Sequence, residues 1–467
     1  MRPRHYKWIA TAMRALPNPA SINRCVRQCG AGNPARDSNH EDCSLQLTNR
    51  RDPLCYPAHF GGDRWPALLS GRSLCTAIIF LGEYFLSSAI QREPDSTAKR
   101  PSTALWTREP SLREAILLWA LCGLIFASVA SLFRPYLSLA QEFGDTQAYM
   151  QIAQAIRSWN FSGLFVKHFW GLPYAVAALA KPTGLATEAA LLIVCAASSL
   201  AALVLAYRLW GGWIALFFSL LNFDWLQRSF LGGSEPLFVA LVFASFLAIR
   251  KSSWKWAALL ASLATITRPL GVLLLVGIGI TLILRRQWPQ LISTIAIAAA
   301  VAFLYVTPLR LYLHDPLATV HSYGVLQPNP YPPLFGIPFR AIVVGTLRYP
   351  APLSNLVLSF SWILLVLAGN IAMVSTQAFH DYARQHPTET IFASLYLVSL
   401  YAYNLPVFAR SNFARFAIPV LPFIFLALWR WLPKDRRVLW TLTVVTPVLA
   451  AVSAVGLKNV IAALHGH

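Results

Sequence analysis

WAALLASLATITRPLGVLLLVGIGITLILRR, residues 256–286, consists of two apolar runs that flank the polar turn TITRPLG and ends on a pair of arginines. Each run has the composition of a buried or lipid-facing helix, and the proline of the turn cannot continue the helix before it. Basic residues also precede the first run, whereas the turn holds the single Arg268. Since basic loops stay on the cytoplasmic side of a membrane, the stretch predicts a helical hairpin whose turn faces away from the cytoplasm.

The rest of the chain repeats this alternation of apolar runs and short polar turns. Of its 467 residues 56% are hydrophobic and 12% are charged, which is typical of a membrane protein with several spans. The sequence therefore predicts an all-α, polytopic transmembrane helical bundle. We expect about eleven spans, near 113–133, 186–207, 212–227, 236–250, 256–267, 271–284, 289–308, 354–376, 390–408, 416–430 and 438–456, and a half-helix at 171–180.

The distribution of basic residues predicts the orientation of these spans. With this count the clusters RKSSWK, RR and RWLPKDRR share one face, which is cytoplasmic by the positive-inside rule. The net charge of +20 thus reflects membrane topology. The sequence lacks the basic stripe interleaved with aromatic residues that would indicate a nucleic-acid partner. By parity the external face carries the segments 134–185, 228–235, 268–270, 309–353 and 409–415.

Residues 1–110 differ in composition from the membrane region, residues 111–467. They hold nine of the nineteen acidic residues, many Pro, Ser and Asn, and no sustained helical period, which predicts a basic, poorly ordered N-terminal extension. Residues 74–90 are apolar but short for a span and carry Glu83 at their middle, so an interfacial helix is favoured over a true span. Five of the seven cysteines lie in this extension without the spacing of a zinc site.

GDTQAYMQIAQAI, residues 144–156, follows the first span and carries Asp145, one of ten acidic residues beyond the extension. Apolar positions recur at helical spacing after it, which predicts an amphipathic helix along the membrane surface in the first external loop. Two interpretations of Asp145 remain open. It caps the helix N-terminus, or it is a carboxylate whose basicity partial desolvation raises, placed where a lipid-borne substrate can reach it.

Two further external turns and the start of one late helix contain charged residues that also allow two interpretations each. GGSEPLFVAL places Glu235 after two glycines, where it either favours a helix N-terminus or lies beside a closely approaching ligand. Arg268 either extends its side chain to the membrane interface or forms a fork for a phosphate. Residues 409–423 supply Arg410 and Arg415 in a like position.

The external segment 309–353 is rich in proline and aromatic residues. Loops of this length are usually functional or disordered. His321 is a candidate to bind a hydroxyl or a phosphate, and Tyr323, with Tyr331 and Phe335, is a candidate to stack on a sugar. Anchoring of the loop at the interface explains the same residues equally well.

The order of these motifs resembles that of the GT-C superfamily of multispanning glycosyltransferases. GDTQAYMQIAQAI in the first external loop is followed by GGSEPLFVALVFASFLAI, by ATITRPLG, by a long external loop and by ARFAIPVLPF. Within the superfamily the chain resembles the GPI mannosyltransferases that add the second mannose, their bacterial relatives, and the group of protein O-mannosyltransferases and aminoarabinose transferases. The resemblance covers residues 113–456 and leaves out the N-terminal extension.

This resemblance implies a GT-C-like fold and transfer of a sugar, with mannose as one candidate, from a polyprenyl- or dolichyl-phosphate donor. The acceptor is a lipid, a glycan or a protein. Asp145 matches the acidic residue that is the proposed base of the superfamily, with Glu142 as its competitor. It would deprotonate the acceptor hydroxyl during an inverting attack, while Arg268 and Arg415 would stabilise the leaving phosphate. The predicted substrate-binding residues are Glu142, Glu235, Arg268, His321, Tyr323, Arg410 and Arg415.

No cofactor or metal is part of this prediction, because the leaving group is a lipid phosphate and the external carboxylates form no cluster. The chain is predicted to be a multi-pass integral membrane protein, in the plasma or inner membrane if it is bacterial, with its active site on the non-cytoplasmic side. Two alternatives remain open. A transporter or lipid flippase predicts internal repeats and helices broken near mid-membrane, and a non-catalytic envelope protein leaves Asp145 with capping alone.

Overall fold

The computed structural model describes residues 108–161, 164, 168–325, 334–349, 351, 353–456 and 459–460. The predicted helix at 74–90, nearly all of the predicted extension and its five cysteines lie outside the described residues. Within these ranges the backbone is helical and contains no strand, as predicted, and one isolated bridge joins Phe335 to Tyr403.

The helices up to residue 313 alternate long apolar elements with short connecting ones. They are α1 (Leu112–Phe133), α2 (Tyr136–Glu142), α3 (Thr146–Ser158), α4 (Gly171–Thr183), α5 (Thr187–Trp210), α6 (Gly212–Leu221), α7 (Phe223–Phe230), α8 (Glu235–Arg250), α9 (Trp254–Thr267), α10 (Val272–Leu284) and α11 (Trp288–Leu313). The amphipathic helix predicted after Asp145 is α3, and the predicted half-helix at 171–180 lies within α4.

The remaining helices also include both long apolar elements and short connecting ones. They are α12 (Ala318–Val325), α13 (Arg340–Arg348), α14 (Leu353–Ser375), α15 (Gln377–Gln385), α16 (Pro387–Ala402), α17 (Pro406–Ser411), α18 (Phe413–Ala417), α19 (Leu421–Ala427) and α20 (Arg436–Val455). The segment 309–353, which the sequence predicts as an external loop, therefore contains the end of α11 and two further helices, α12 and α13.

Five of the described helices, α1, α5, α11, α14 and α20, are long and apolar enough to cross a membrane. A sixth span results if α7 and α8, which meet at an angle of 103°, are one broken element. Shorter apolar helices, among them α6 and α10, accompany them. The chain is thus an integral membrane protein that is all-helical in its described part, while the count of about eleven spans and the orientation of the helices stay predictions.

One predicted span, residues 212–227, is in fact two helices. The break falls at Asn222, whose side-chain oxygen accepts from the Trp225 N–H at 3.2 Å and caps α7. The side-chain amide of Asn222 donates to the Ala414 carbonyl oxygen at 3.0 Å. Because both ends of this buried amide are bonded, the helix can stop inside the protein without leaving unsatisfied groups. Hydropathy alone does not reveal such a break.

Aromatic side chains fill the core around this break. Trp225 packs on Phe218 with ring centroids 4.7 Å apart, and Phe218 meets Phe243 edge to face at 5.5 Å. Phe246 meets Phe423 edge to face at 5.9 Å. These tilted and perpendicular arrangements are the favoured ones for aromatic pairs. They fix α6, α7, α8 and α19 against one another, and so they fix the positions of the polar ends of α7 and α8.

Candidate active site

The ends of several helices bring charged side chains into one network. Asp145 precedes α3, Glu235 begins α8, Arg268 follows α9 and Arg415 lies in α18. Arg415 donates from Nε to Glu235 Oε1, and its Nη2 lies 3.4 Å from Asp145 Oδ2, across 270 positions of sequence. Arg268 also pairs with Glu235 Oε1. Four of the residues singled out in the sequence are therefore joined directly.

The turn before α3 explains how Asp145 reaches this network. Gly144 has a φ of +54°, a left-handed conformation that glycine adopts without strain. Thr146 closes the turn, since its hydroxyl donates to the Phe143 carbonyl oxygen at 2.6 Å. Asp145 occupies the N-cap position, but its side chain accepts no capping hydrogen bond. The capping interpretation is right about the position and wrong about the hydrogen bond, and the carboxylate faces the arginines instead.

The electrostatic surroundings of Asp145 lower its pKa rather than raise it. Burial raises the pKa of the carboxyl, but the positive charges of His168, Arg415 and Arg228 outweigh it, so that the pKa lies below its ordinary value. His168 Nε2 is 3.6 Å from Asp145 Oδ1. The prediction that desolvation makes Asp145 more basic is thus wrong, because a sequence shows burial better than it shows the cations that compensate for it.

Glu235 is the buried centre of the network and is only 2% exposed. Its Oε1 accepts from both Arg268 and Arg415, whereas Oε2 has no hydrogen-bond partner within the described part of the chain. A Cβ atom added to Gly233 would lie 2.7 Å from Oε2, so the glycine before Ser234 leaves that oxygen room. One oxygen of this carboxylate holds the arginines, and the other is buried without a hydrogen-bond partner among the described residues.

Three neighbours of the network are absent from the sequence-based prediction. Tyr149 donates its hydroxyl to Ser234 Oγ at 3.0 Å, and its ring lies 4.9 Å from that of His168. Arg228, in α7, is 8% exposed and stacks over the ring of Phe143 at 4.5 Å. A signal for Arg228 exists in the sequence, because it opens the predicted external segment 228–235. A lone histidine and a lone tyrosine carry no such signal.

Two predicted substrate-binding residues make their contacts outside this network. Glu142 pairs with Arg134, and its side chain is 62% exposed. Arg410 donates from Nη1 to the Tyr349 carbonyl oxygen at 3.0 Å. A residue close in sequence to Asp145 or to Arg415 is thus directed elsewhere by its own partner. Their roles toward a substrate stay predictions.

The aromatic segment after α11 also forms a contact of its own. His321 Nδ1 lies 2.8 Å from Asp315 Oδ2, and the hydrogen bond lowers the pKa of that exposed carboxyl. The side chain of Tyr323 and the whole of Tyr331 lie outside the described residues. Among the residues that the structure describes, no group of three or more His, Cys, Asp or Glu is arranged to hold a metal ion.

No protein-family model matches this chain, and no curated protein does. A similar solved structure is that of ArnT from Cupriavidus metallidurans bound to undecaprenyl phosphate. The two chains are 14% identical and superimpose with a TM-score of 0.40 over 70% of this chain and 62% of that one. This chain thus covers under two thirds of that protein.

Proposed function

We propose that this chain is an integral membrane glycosyltransferase of the GT-C type. It transfers a sugar, with mannose as one candidate, from a polyprenyl- or dolichyl-phosphate donor to a lipid, glycan or protein acceptor on the non-cytoplasmic face of the membrane. The observation that carries the proposal is the position of Asp145. Its carboxylate makes no capping bond, is 28% exposed, and adjoins a buried cluster of arginines at the ends of apolar helices.

In the proposed reaction Asp145 accepts the proton of the acceptor hydroxyl as that oxygen attacks the anomeric carbon of the donor. The new bond joins the acceptor oxygen to the anomeric carbon, and the bond from that carbon to the phosphate oxygen breaks, with inversion. The electron pair leaves with the polyprenyl phosphate. The depressed pKa supports this role in one respect, because it keeps Asp145 ionised and ready to accept a proton at neutral pH.

Glu235 has two tasks in this proposal. Through Oε1 it holds Arg268 and Arg415 in place, where their positive charge opposes the charge that develops on the leaving phosphate. Its second oxygen is buried and lacks a partner among the described residues, so it can accept a hydrogen bond from a sugar hydroxyl. A buried acceptor of this kind costs stability until such a donor arrives.

The test replaces Asp145 by Asn in the full-length chain, reconstituted with polyprenyl-phosphate mannose and, in parallel, other polyprenyl-phosphate sugars. Loss of the base is expected to lower the rate of transfer by about 10²-fold or more, with the unfolding temperature nearly unchanged. Glu142→Gln is the matched control, since Glu142 lies three residues before Asp145 but pairs with Arg134 on the surface. Full transfer by Asp145→Asn sinks the proposed role, and loss only in Glu142→Gln moves the base to Glu142.

A transporter or lipid flippase is the second candidate, and the break between α7 and α8 favours it. Transporters place substrates at discontinuous helices, and here a bend of 103° separates two helices that end at the charged network. The two candidates differ in their products. Proteoliposomes that move a polyprenyl-phosphate sugar between leaflets without breaking its glycosidic bond support the transporter, and release of free polyprenyl phosphate supports the transferase.

A further inference from the structure

Arg228 differs from the other two arginines of the network in its hydrogen bonds. Arg268 and Arg415 both pair with Glu235. Arg228 is 8% exposed, yet its Nε and Nη1 have no hydrogen-bond partner among the described residues. A buried guanidinium with two unbonded nitrogens is costly, and natural proteins seldom keep one without use. The unbonded nitrogens of Arg228 therefore indicate a hydrogen-bond acceptor that comes from a ligand.

The surroundings of Arg228 place its Nη1 beside the turn that carries Asp145. A Cβ atom on Gly144 would lie 2.7 Å from Nη1, so the guanidinium rests against the backbone next to Asp145. A Cβ atom on Gly233 would lie 2.5 Å from the Arg228 Cδ atom. On its flat face the guanidinium stacks over Phe143 at 4.5 Å. Two glycines and one ring therefore hold the cation in a fixed orientation without using its donors.

A guanidinium with unbonded N–H groups can donate charge-assisted hydrogen bonds to a phosphoryl group. A neutral sugar hydroxyl would satisfy one donor at most and would leave the charge unpaired. A carboxylate from the protein is not in hydrogen-bond range of these two nitrogens among the described residues.

We propose that Arg228 is the residue that donates hydrogen bonds to the phosphoryl group at this site, while Arg268 and Arg415, which Glu235 holds in place, act on that group through their charge alone. The inference rests on the proposed function for the identity of the ligand, a lipid-linked phosphate. It assigns the direct contact with the phosphate to Arg228 and not to Arg268 or Arg415. The phosphate of the donor lies against Arg228, and the two arginines paired with Glu235 oppose its charge without contacting it.

The test measures binding to the purified full-length chain in detergent micelles, with a short-chain polyprenyl phosphate, the corresponding polyprenol and inorganic phosphate as separate probes. Arg228→Met is expected to weaken binding of polyprenyl phosphate by about tenfold or more, the loss that charge-assisted hydrogen bonds carry. Its affinity for the polyprenol should not change. Arg228→Lys is the second variant if the first fails to fold, and it should also weaken binding of polyprenyl phosphate because it lacks the planar guanidinium and its several fixed donors.

Arg208→Gln serves as the control, since Arg208 is an exposed arginine near the end of α5. Its affinity for polyprenyl phosphate should equal that of the wild type. Binding of inorganic phosphate that equals that of the lipid and depends on Arg228 also supports the phosphoryl site, and it assigns the site to free phosphate. Unchanged binding of polyprenyl phosphate in a folded Arg228 variant overturns the inference, as does an equal loss in Arg208→Gln.

These outcomes are separable from the failure of the proposed function. If no sugar is transferred by the wild type but Arg228→Met still loses the lipid phosphate, the phosphoryl site stands and the transferase does not. If Asp145→Asn loses transfer while Arg228→Met binds polyprenyl phosphate as the wild type does, the transferase stands and the phosphoryl site is wrong.

Discussion

At the scale of the residue, Asp145 shows how a position and a role can separate. The residue stands where a helix cap is expected, but the side chain turns from the helix to Arg415 and His168. An N-cap hydrogen bond contributes about 1 kcal/mol, and this chain forgoes it for contacts with cations. Such a local departure from the best capping geometry is expected where a side chain serves a ligand.

His168 is the residue at which the pH dependence of the proposed transfer can be tested. The base form of Asp145 is the carboxylate, so activity is lost as the pH falls through its pKa, which lies below the ordinary value. His168→Gln removes the cation that opposes burial most strongly, and the pKa of Asp145 should rise. The acid limb of kcat/KM should therefore move to higher pH.

The control for this prediction is His380→Gln, whose imidazole lies 2.8 Å from the Val374 carbonyl oxygen and contributes nothing to the pKa shift of Asp145. Its acid limb should coincide with that of the wild type. If the limb of His168→Gln stays in place or moves to lower pH, then Asp145 is not the group that titrates in the reaction.

At the scale of the element, hydropathy predicts where apolar helices lie and fails where buried polar groups end them. The predicted spans at 113–133 and 236–250 agree with α1 and α8 to within a residue. The span predicted at 212–227 misses the break at Asn222. The hydropathy of this segment does not show that the Asn222 amide is bonded to a residue of another helix. The same holds for the site. Counting the predicted spans places Asp145, Glu235, Arg268 and Arg415 on one face of the membrane. It places Arg410 and Glu142 there as well, and only the side-chain contacts of the structure separate these two from the network.

The contact between α4 and α9 gives a prediction at this scale. Gly171 opens α4, and a Cβ atom there would lie 2.6 Å from the Cα and 2.8 Å from the backbone nitrogen of Thr267, the residue before Arg268. Because the backbone cannot yield as a side chain does, Gly171→Ala should destabilise the protein by about 1–3 kcal/mol. It should also lower activity, since it displaces Arg268. Thermal unfolding in micelles and the transfer rate are the measurements.

Gly279→Ala is the matched control within α10. There the nearest atom to an added Cβ, on the Leu291 side chain, is 3.9 Å away, an ordinary contact. Alanine favours the helix over glycine by about 0.5–1 kcal/mol, so this variant should be as stable as the wild type or slightly more so. Equal stability of Gly171→Ala and Gly279→Ala would show that the two helices can separate at no cost.

At the scale of the described membrane region, α8 joins two ion-paired clusters. Its first residue, Glu235, belongs to the candidate site, and its last, Arg250, forms a bidentate pair with Glu389 at 2.7 and 2.9 Å. A helix of sixteen residues is about 24 Å long, so the second cluster is remote from the proposed chemistry. At the edge of the membrane region, the Glu109 side chain accepts from the Gly212 N–H at 2.9 Å, which ties the residues just before α1 to α6.

The second cluster is a buried clamp of four elements. Arg250 donates to the Leu209 carbonyl oxygen at 2.8 Å and lies 3.1 Å from the Tyr382 hydroxyl, which also bonds Glu389 and accepts from Trp210 Nε1 at 2.7 Å. It therefore connects the ends of α5 and α8 with α15 and α16. The Glu389 side chain is 1% exposed. With its polar groups bonded to one another, this cluster needs no ligand, in contrast to the cluster around Glu235.

Glu389→Gln should separate the stability of the fold from the function of the site. Removing one charge of a buried pair leaves the other uncompensated, and the expected loss of stability is about 3–5 kcal/mol. Asp381→Asn is the control, because its pair with Arg384 is about half exposed and contributes about 0–1 kcal/mol. Measured below its unfolding temperature, Glu389→Gln should keep the KM for the polyprenyl-phosphate sugar and the rate per folded molecule. A rise in KM together with an unchanged unfolding temperature would mean that this clamp, and not only the network around Glu235, takes part in binding the donor.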